Sequence, residues 1–274
     1  MKKMLIFIGA IVCIFVASYW FFNRLGRQPI NQATKTCLVT GASSGIGKEI
    51  AREMVKRGWK VIGVARRNDK LKELEVELGQ AFISYKCDVG STTQIHEVSD
   101  EIKKQGLQPT LFFLNAGTGE LEQKWQLSTA VHQRTFATNY FGVIAWIEEW
   151  LTLAKDLGGG TFVATSSVLA LFATPVCAAY ATSKIALVHC FDSLRRQYLY
   201  DNIGFSIALP GPTDTEMLKG AVDNLPFVHK PEDEAKYIID GVFAVKQQIE
   251  PSWFYSCMLR VLNWLPDKVA LKLL

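Results

Sequence analysis

Apolar and polar positions in this chain alternate between two kinds of segment. Short apolar runs at Cys37-Leu38-Val39, Lys60 to Ala65, Ala81 to Lys86, Thr110 to Leu114, Thr161 to Thr165 and Phe205 to Leu209 predict strands. Helical segments fill the gaps. The stretch KEIAREMVKRG ends at Gly58, and Asn68 to Leu78 carries Leu71, Leu74 and Leu78 on one face. Ala178 to Tyr200 predicts a long helix. Pro231-Glu232-Asp233-Glu234 predicts a helix start, with proline at the first position and acids in the first turn. Strand and helix in alternation indicate an α/β fold, a doubly wound parallel sheet covered on both faces.

The amino terminus breaks this pattern. Met4 to Phe22 holds no charge, follows Lys2 and Lys3, and precedes Arg24 and Arg27. A bilayer-crossing helix needs about 20 apolar residues. A cleaved secretory peptide is the alternative, with Val16-Ala17-Ser18 as its processing site. The run continues past that site through Tyr19, Trp20, Phe21 and Phe22, aromatics suited to a membrane interface, which favours an uncleaved single-pass anchor. The expected organisation is an anchor over 1–25, a linker over 26–34, a main domain over 35–250 and an apolar tail over 251–274.

Composition narrows the function. The 274 residues, 49% hydrophobic, allow one large domain with an appendage. The net charge of +4 is spread over helices, as at Arg52, Lys56 and Arg57, and gives no footprint for nucleic acid. Six cysteines, at 13, 37, 87, 177, 190 and 257, show no C-x-x-C spacing, so buried free thiols and a reducing compartment are expected. His96, His132, His189 and His229 stand apart from one another and from cysteine, and no metal site is expected.

Two features carry chemistry. Residues 35 to 47, KTCLVTGASSGIG, run from an apolar strand into a turn bearing Gly41, Gly45 and Gly47 and then into a helix. Such a turn lets backbone approach a pyrophosphate, which rests on the amides of the helix that follows. The spacing is G-x-x-x-G-x-G, not the general dinucleotide pattern, and a purely structural turn would read the same way. Tyr180 and Lys184 lie four residues apart, one helical turn, with Ser167 thirteen positions before the tyrosine. A tyrosine with a pKa of about 10 becomes a usable acid or base beside a cation, whereas the same pair also occurs as a packed ring beside a solvated lysine.

As a set, TGASSGIG at 40 to 47, Asp88 in KCDV, NAG at 115 to 117, Asn139 in TNYFG, Ser167 in TSSV, Tyr180 with Lys184, and PGPTDT at 210 to 215 resemble the short-chain dehydrogenase/reductase family. The resemblance spans about residues 35 to 245 and implies a single-domain Rossmann-type fold. It departs from the family at Leu114 and Thr110, where asparagine and aspartate are common. It implies hydride transfer between nicotinamide and a carbonyl or secondary alcohol carbon. Tyr180 would donate the proton, Ser167 would hydrogen-bond the same oxygen, Lys184 would bind the nicotinamide ribose and lower the tyrosine pKa, and Asn139 would hold a water linking the lysine to solvent. Gly41, Ser43, Ser44, Gly45, Ile46 and Gly47 would cradle the cofactor. Asp88 and Val89 would meet its adenine, Asn115, Ala116 and Gly117 would line the cleft, and Pro210, Gly211, Thr213 and Thr215 would hold the carboxamide.

Cofactor choice is read from the second strand. No acid stands at its end, about 20 residues after the glycine turn, to take ribose hydroxyls, and Arg66 and Arg67 stand there instead, suited to a ribose phosphate. NADP(H) is therefore expected, with Arg66 as the partner by resemblance. The segment after Thr215 carries Met217, Leu218, Leu225, Pro226 and Phe227, which read equally as the cap of an apolar pocket or as ordinary packing. The tail holds Trp253, Phe254, Tyr255 and Trp264 beside Arg260 and Lys268, fitting an interfacial element, a homodimer contact or a lid. An apolar small-molecule substrate and contact with membrane lipid are expected, a layout similar to membrane-bound hydroxysteroid dehydrogenases and ketosphinganine reductases. Cofactor supply favours the cytosolic side, with an organelle lumen open. The rival reading is a tethered cofactor-binding sensor or scaffold without turnover.

Overall fold

The structure, a computed structural model, describes residues 30–120, 125, 127–175, 177–218 and 225–273. The expected anchor over 1–25 lies outside the described residues. Among those described, no helix is long and apolar enough to cross a membrane.

The strands are β1 (Thr36–Thr40), β2 (Lys60–Ala65), β3 (Phe82–Lys86), β4 (Leu111–Leu114), β5 (Gly160–Thr165), β6 (Ile203–Ala208) and β7 (Gln248–Ile249). They form one sheet in the order β3-β2-β1-β4-β5-β6-β7, every pair parallel. The helices are α1 (Gly45–Lys56), α2 (Asn68–Leu78), α3 (Thr92–Lys104), α4 (Thr129–Phe136), α5 (Gly142–Asp156), α6 (Ala178–Gln197), α7 (Pro231–Phe243), α8 (Trp253–Leu262) and α9 (Asp267–Leu273).

β1, β4 and β5 are buried along their whole length, the signature of strands covered on both faces. Alternate side chains divide the core in two. Leu38, Phe112 and Phe162 point to the side of α3, α5 and α6, where Trp146, Trp150 and Phe191 fill the layer. Phe112 and Phe162 stack there with centroids 4.6 Å apart. Val39, Phe113 and Val163 point to the opposite side and meet Ile50, Met54, Leu71 and Ile238 from α1, α2 and α7. Each such large apolar side chain contributes about 1.5–3 kcal/mol of transfer free energy.

Several boundaries differ from the sequence reading for local reasons. Residues Gly79–Ala81 form a 3-10 turn, which delays β3 to Phe82. β6 starts at Ile203, just after Asn202 turns the chain at φ 56°, and ends at Ala208. Leu209, expected to end that strand, still donates its amide to Ile249 O at 2.8 Å. α6 stops at Gln197, short of Tyr200, where Asp201 N closes a turn onto Tyr198 O at 3.1 Å.

The strand order reverses between β1 and β4, so their carboxyl ends flank the crevice where open α/β sheets take ligands. Register brings Thr40 level with Leu114, and Leu114 level with Ala164. The turns after β1, β4, β5 and β6 therefore surround one opening. They carry the glycine turn, the NAG run, Ser167 and Pro210, respectively.

Candidate active site

The glycine turn is shaped by backbone demands that side chains would violate. Gly41 leaves β1 at φ 71°, and a Cβ on it would meet Ala116 Cα at 2.9 Å. Gly47 in the first turn of α1 has less room still, since a Cβ would lie 2.4 Å from Gly41 O and 2.5 Å from Asn115 Nδ2. α1 is thus drawn against the turn, with Ser44 at its N-cap in extended conformation and contributing no side-chain cap. Its first amides remain available for an anion, as a pyrophosphate requires. The residues fit a dinucleotide.

The NAG run is tied to the same turn. Ala116 N donates to Thr40 Oγ1 at 3.0 Å, and Asn115 Oδ1 accepts from Thr165 Oγ1 at 3.2 Å. Asp88 Oδ1 accepts from Gly90 N at 2.9 Å, which fixes the turn after β3, and Val89 is buried.

Ser167, Tyr180, Lys184 and Asn139 come together from separate parts of the fold. Ser167 follows β5 and its hydroxyl is hydrogen-bonded to Tyr180, one turn before Lys184 on α6. Lys184 Nζ lies 5.6 Å from the Tyr180 ring centre and donates to Thr165 O at 2.8 Å. Ser166 Oγ donates to Lys184 O at 2.8 Å, locking α6 to the end of β5. Asn139 sits in a π turn, Ala137–Phe141, between α4 and α5. Such turns re-aim side chains within a helix.

The Asn139 side chain is committed to protein partners. Oδ1 accepts from Thr118 N at 2.8 Å, and Nδ2 donates to Thr118 O at 2.9 Å and to Ser183 Oγ at 3.0 Å. Ser183 Oγ in turn donates to Tyr180 O at 2.7 Å. Asn139 therefore holds the chain after Gly117 close to α6. Sequence reasoning missed Thr118, Ser183 and Thr165 in this network, because their roles depend on backbone groups that carry no residue signature.

Electrostatics at the trio depart from the expected picture. Burial pushes the Tyr180 phenol above its ordinary value, and the Ser167 hydrogen bond opposes that rise. Burial also pulls Lys184 down to about 8. The Lys184 ammonium is oriented by its hydrogen bond to the Thr165 carbonyl, beside the Tyr180 ring.

Residues 35–225 match the short chain dehydrogenase family. The chain belongs to that family. An uncharacterised oxidoreductase of Mycobacterium tuberculosis is 29% identical over 85% of this chain and 94% of its own length. Retinol dehydrogenase 8 of Bos taurus is 34% identical over 67% of this chain and 61% of its own. Among solved structures, a short-chain dehydrogenase from Burkholderia phymatum in complex with NAD superposes with a TM-score of 0.76 at 20% identity, covering 86% of this chain and 94% of that one. Serine dehydrogenase complexed with NADP+ gives 0.73 at 22%, covering 78% and 93%.

In this short-chain dehydrogenase the arginine that reaches the glycine turn is Arg67. Its Nε and Nη2 donate to Ser43 Oγ at 3.2 and 3.1 Å, and Nη2 also donates to Ser44 Oγ. Arg66, the expected partner, is exposed and makes no hydrogen bond or ion pair among the described residues. The sequence contains both arginines and does not reveal which one turns inward.

A buried carboxyl lies beneath the Pro210–Thr215 turn. Glu234 on α7 is fully buried, its Oε1 accepts from Ser252 Oγ at 3.2 Å, and His229 Nδ1 lies 3.3 Å away. His229, isolated in the sequence, also pairs through its backbone with Thr213. A Cβ on Gly211 would meet Ser252 Oγ at 2.4 Å, so α8 is seated directly on this turn. Thr215 begins the next segment against Gly45, whose added Cβ would lie 3.0 Å from Thr215 Cγ2. Of the expected free thiols, Cys37 and Cys87 are buried, and burial pushes Cys87 up to about 12.

Proposed function

We propose that this protein is an NADP(H)-dependent oxidoreductase that interconverts a carbonyl and a secondary alcohol on a lipid-like substrate, acting chiefly as a reductase. The observation that carries the reading is the meeting of Ser167, Tyr180 and Lys184 beside a glycine turn that fits a dinucleotide. When bound, the nicotinamide supplies the hydride. The glycine turn and the α1 amides hold the pyrophosphate, Asp88 and Val89 border the adenine, and Pro210, Gly211, Thr213 and Thr215 border the carboxamide. Arg66 and Arg67 support the phosphorylated form of the cofactor.

Within that frame Tyr180 gives its proton to the substrate carbonyl oxygen, and Ser167 donates a second hydrogen bond to the same atom. Both interactions strengthen as that oxygen gains charge, which is where binding energy lowers the barrier. Lys184, buried behind the phenol, favours the phenolate left after proton transfer. A lipid-like substrate is supported by exposed aromatic rings beside the segment after Thr215. Phe227 and Phe254 lie 5.1 Å apart, with Trp253 next to them. The apolar run at Met4 to Phe22 supports a membrane anchor, with the catalytic domain on the cytosolic side.

The test is NADPH oxidation by the full chain in detergent against a panel of apolar ketones, repeated with Tyr180→Phe. Loss of one proton donor lowers turnover at least about a hundredfold and leaves NADPH affinity within about twofold of wild type. Turnover by the variant near the wild-type rate sinks the assignment of Tyr180.

A further inference from the structure

Three charged side chains outside the catalytic group converge on the glycine turn, and one of them is an acid. Arg67, just after β2, forks onto the hydroxyls of Ser43 and Ser44. Lys70 stands in the first turn of α2. Both cations end on Glu216: Arg67 Nη1 on Oε2, and Lys70 Nζ on Oε1. Glu216 opens the 3-10 turn Glu216–Leu218 and directly follows Thr215, which packs against Gly45. The beginning of the segment expected to cover substrate is thereby fastened to the cofactor turn by a single carboxylate.

We propose that Glu216 is an internal anion which a phosphate on the adenosine ribose displaces from Arg67 and Lys70, so that Glu216 sets the discrimination between NADPH and NADH. The inference rests on the reading that the glycine turn binds a nicotinamide dinucleotide.

The charges and exposures fit an exchangeable anion. Arg67 and Lys70 together carry two positive charges and Glu216 returns one, leaving a net positive site. A phosphate monoester carries nearly two negative charges and three acceptor oxygens, enough to engage both cations at once. Side-chain exposures of 40% for Arg67, 34% for Lys70 and 50% for Glu216 make the internal pairs weak and open to exchange. Hydrogen bonds from Arg67 first and Lys70 second hold the Glu216 carboxyl down at about 2, so the competing anion is present throughout the working pH range. A dinucleotide without that phosphate brings no anion to the fork and leaves Glu216 in place. Competition therefore falls on one cofactor and spares the other.

The experiment measures dissociation constants of NADPH and NADH for the full chain in detergent, by energy transfer from tryptophan to the reduced nicotinamide. The proteins are wild type, Glu216→Gln, Arg67→Ala and the double variant. Removing the internal anion tightens NADPH about fivefold and shifts NADH less than about twofold, and the gain shrinks as salt rises. The gain disappears in the Arg67→Ala background, because the two changes act on one interaction. The proposal is overturned by unchanged NADPH affinity, by a gain that persists without Arg67, or by weakened NADH binding showing that Glu216 serves the ribose hydroxyls. Failure of wild type to bind either nucleotide would remove the dinucleotide reading together with this one. Normal binding and turnover with unchanged selectivity would remove this one alone.

Discussion

Glu234 is a carboxyl fully buried beneath the Gly211 turn. Desolvation raises it to about 7, against the opposing pull of Ser252, the Gly211 amide and Thr213. The folded protein therefore binds this proton more tightly than the unfolded chain, whose glutamates titrate at about 4.3. The stability tied to the neutral carboxyl is complete below that unfolded value and is lost as pH rises through about 7. Because the shift exceeds two units, the full loss is about 3 kcal/mol. Glu234→Gln keeps the shape and cannot ionise. Urea unfolding of the two proteins should show the variant gaining on wild type between pH 4.5 and 7.5, with the difference level above that range. A difference that stays constant with pH would mean that Glu234 is solvated or permanently paired in solution.

At the level of elements, the site depends on how closely α1 approaches the turn after β1. Ile50, Ala51 and Met54 pull the helix onto the sheet, and Gly47 lets its first turn pass the Gly41 carbonyl without collision. Gly47→Ala places a methyl group 2.4 Å from that oxygen, so either the helix or the turn must move. Overpacking of this kind costs about 1–3 kcal/mol. The displaced amides should also weaken NADPH binding at least about tenfold, by the same titration, since they supply the pyrophosphate contacts. Wild-type affinity in a stably folded variant would show that α1 does not carry the cofactor. The π turn between α4 and α5 makes a related point. It was not legible in TNYFG as a turn, because a single extra residue in a helical ladder leaves the apolar periodicity on either side intact.

At the scale of the whole molecule, the tail and the neighbourhood of Phe227 present apolar side chains to the surface. Phe227, Trp253, Phe254, Val261 and Trp264 are exposed, while Leu259, Leu262 and Ala270 behind them pack on Val168, beside Ser167. The tail is thus part of the wall of the site as well as a surface. A chain bearing both this face and the Met4 to Phe22 run should remain with the membrane pellet after an alkaline carbonate wash. A protein lacking residues 1–29 should be extracted by high salt or mild detergent, because an interfacial apolar face binds reversibly and a spanning helix does not. Recovery of the full chain in the supernatant would rule out the anchor.

The sequence by itself determined most of the alternation of strands and helices and the fold class, and it named the candidate side chains of the site. Those follow from local periodicity and from residue types at short spacings, such as the helical turn separating Tyr180 from Lys184. Tertiary structure alone decided that Arg67, not Arg66, turns onto Ser43 and Ser44, that Lys70 and Glu216 meet 146 residues apart in the chain, and that Glu234 is sealed under the Gly211 turn. It also decided the electrostatic sign at Tyr180, where burial outweighs the Ser167 hydrogen bond. Local patterns encode which face of an element is apolar. Desolvation and long-range charge pairing depend on what the rest of the fold places against that face, which no window of sequence contains.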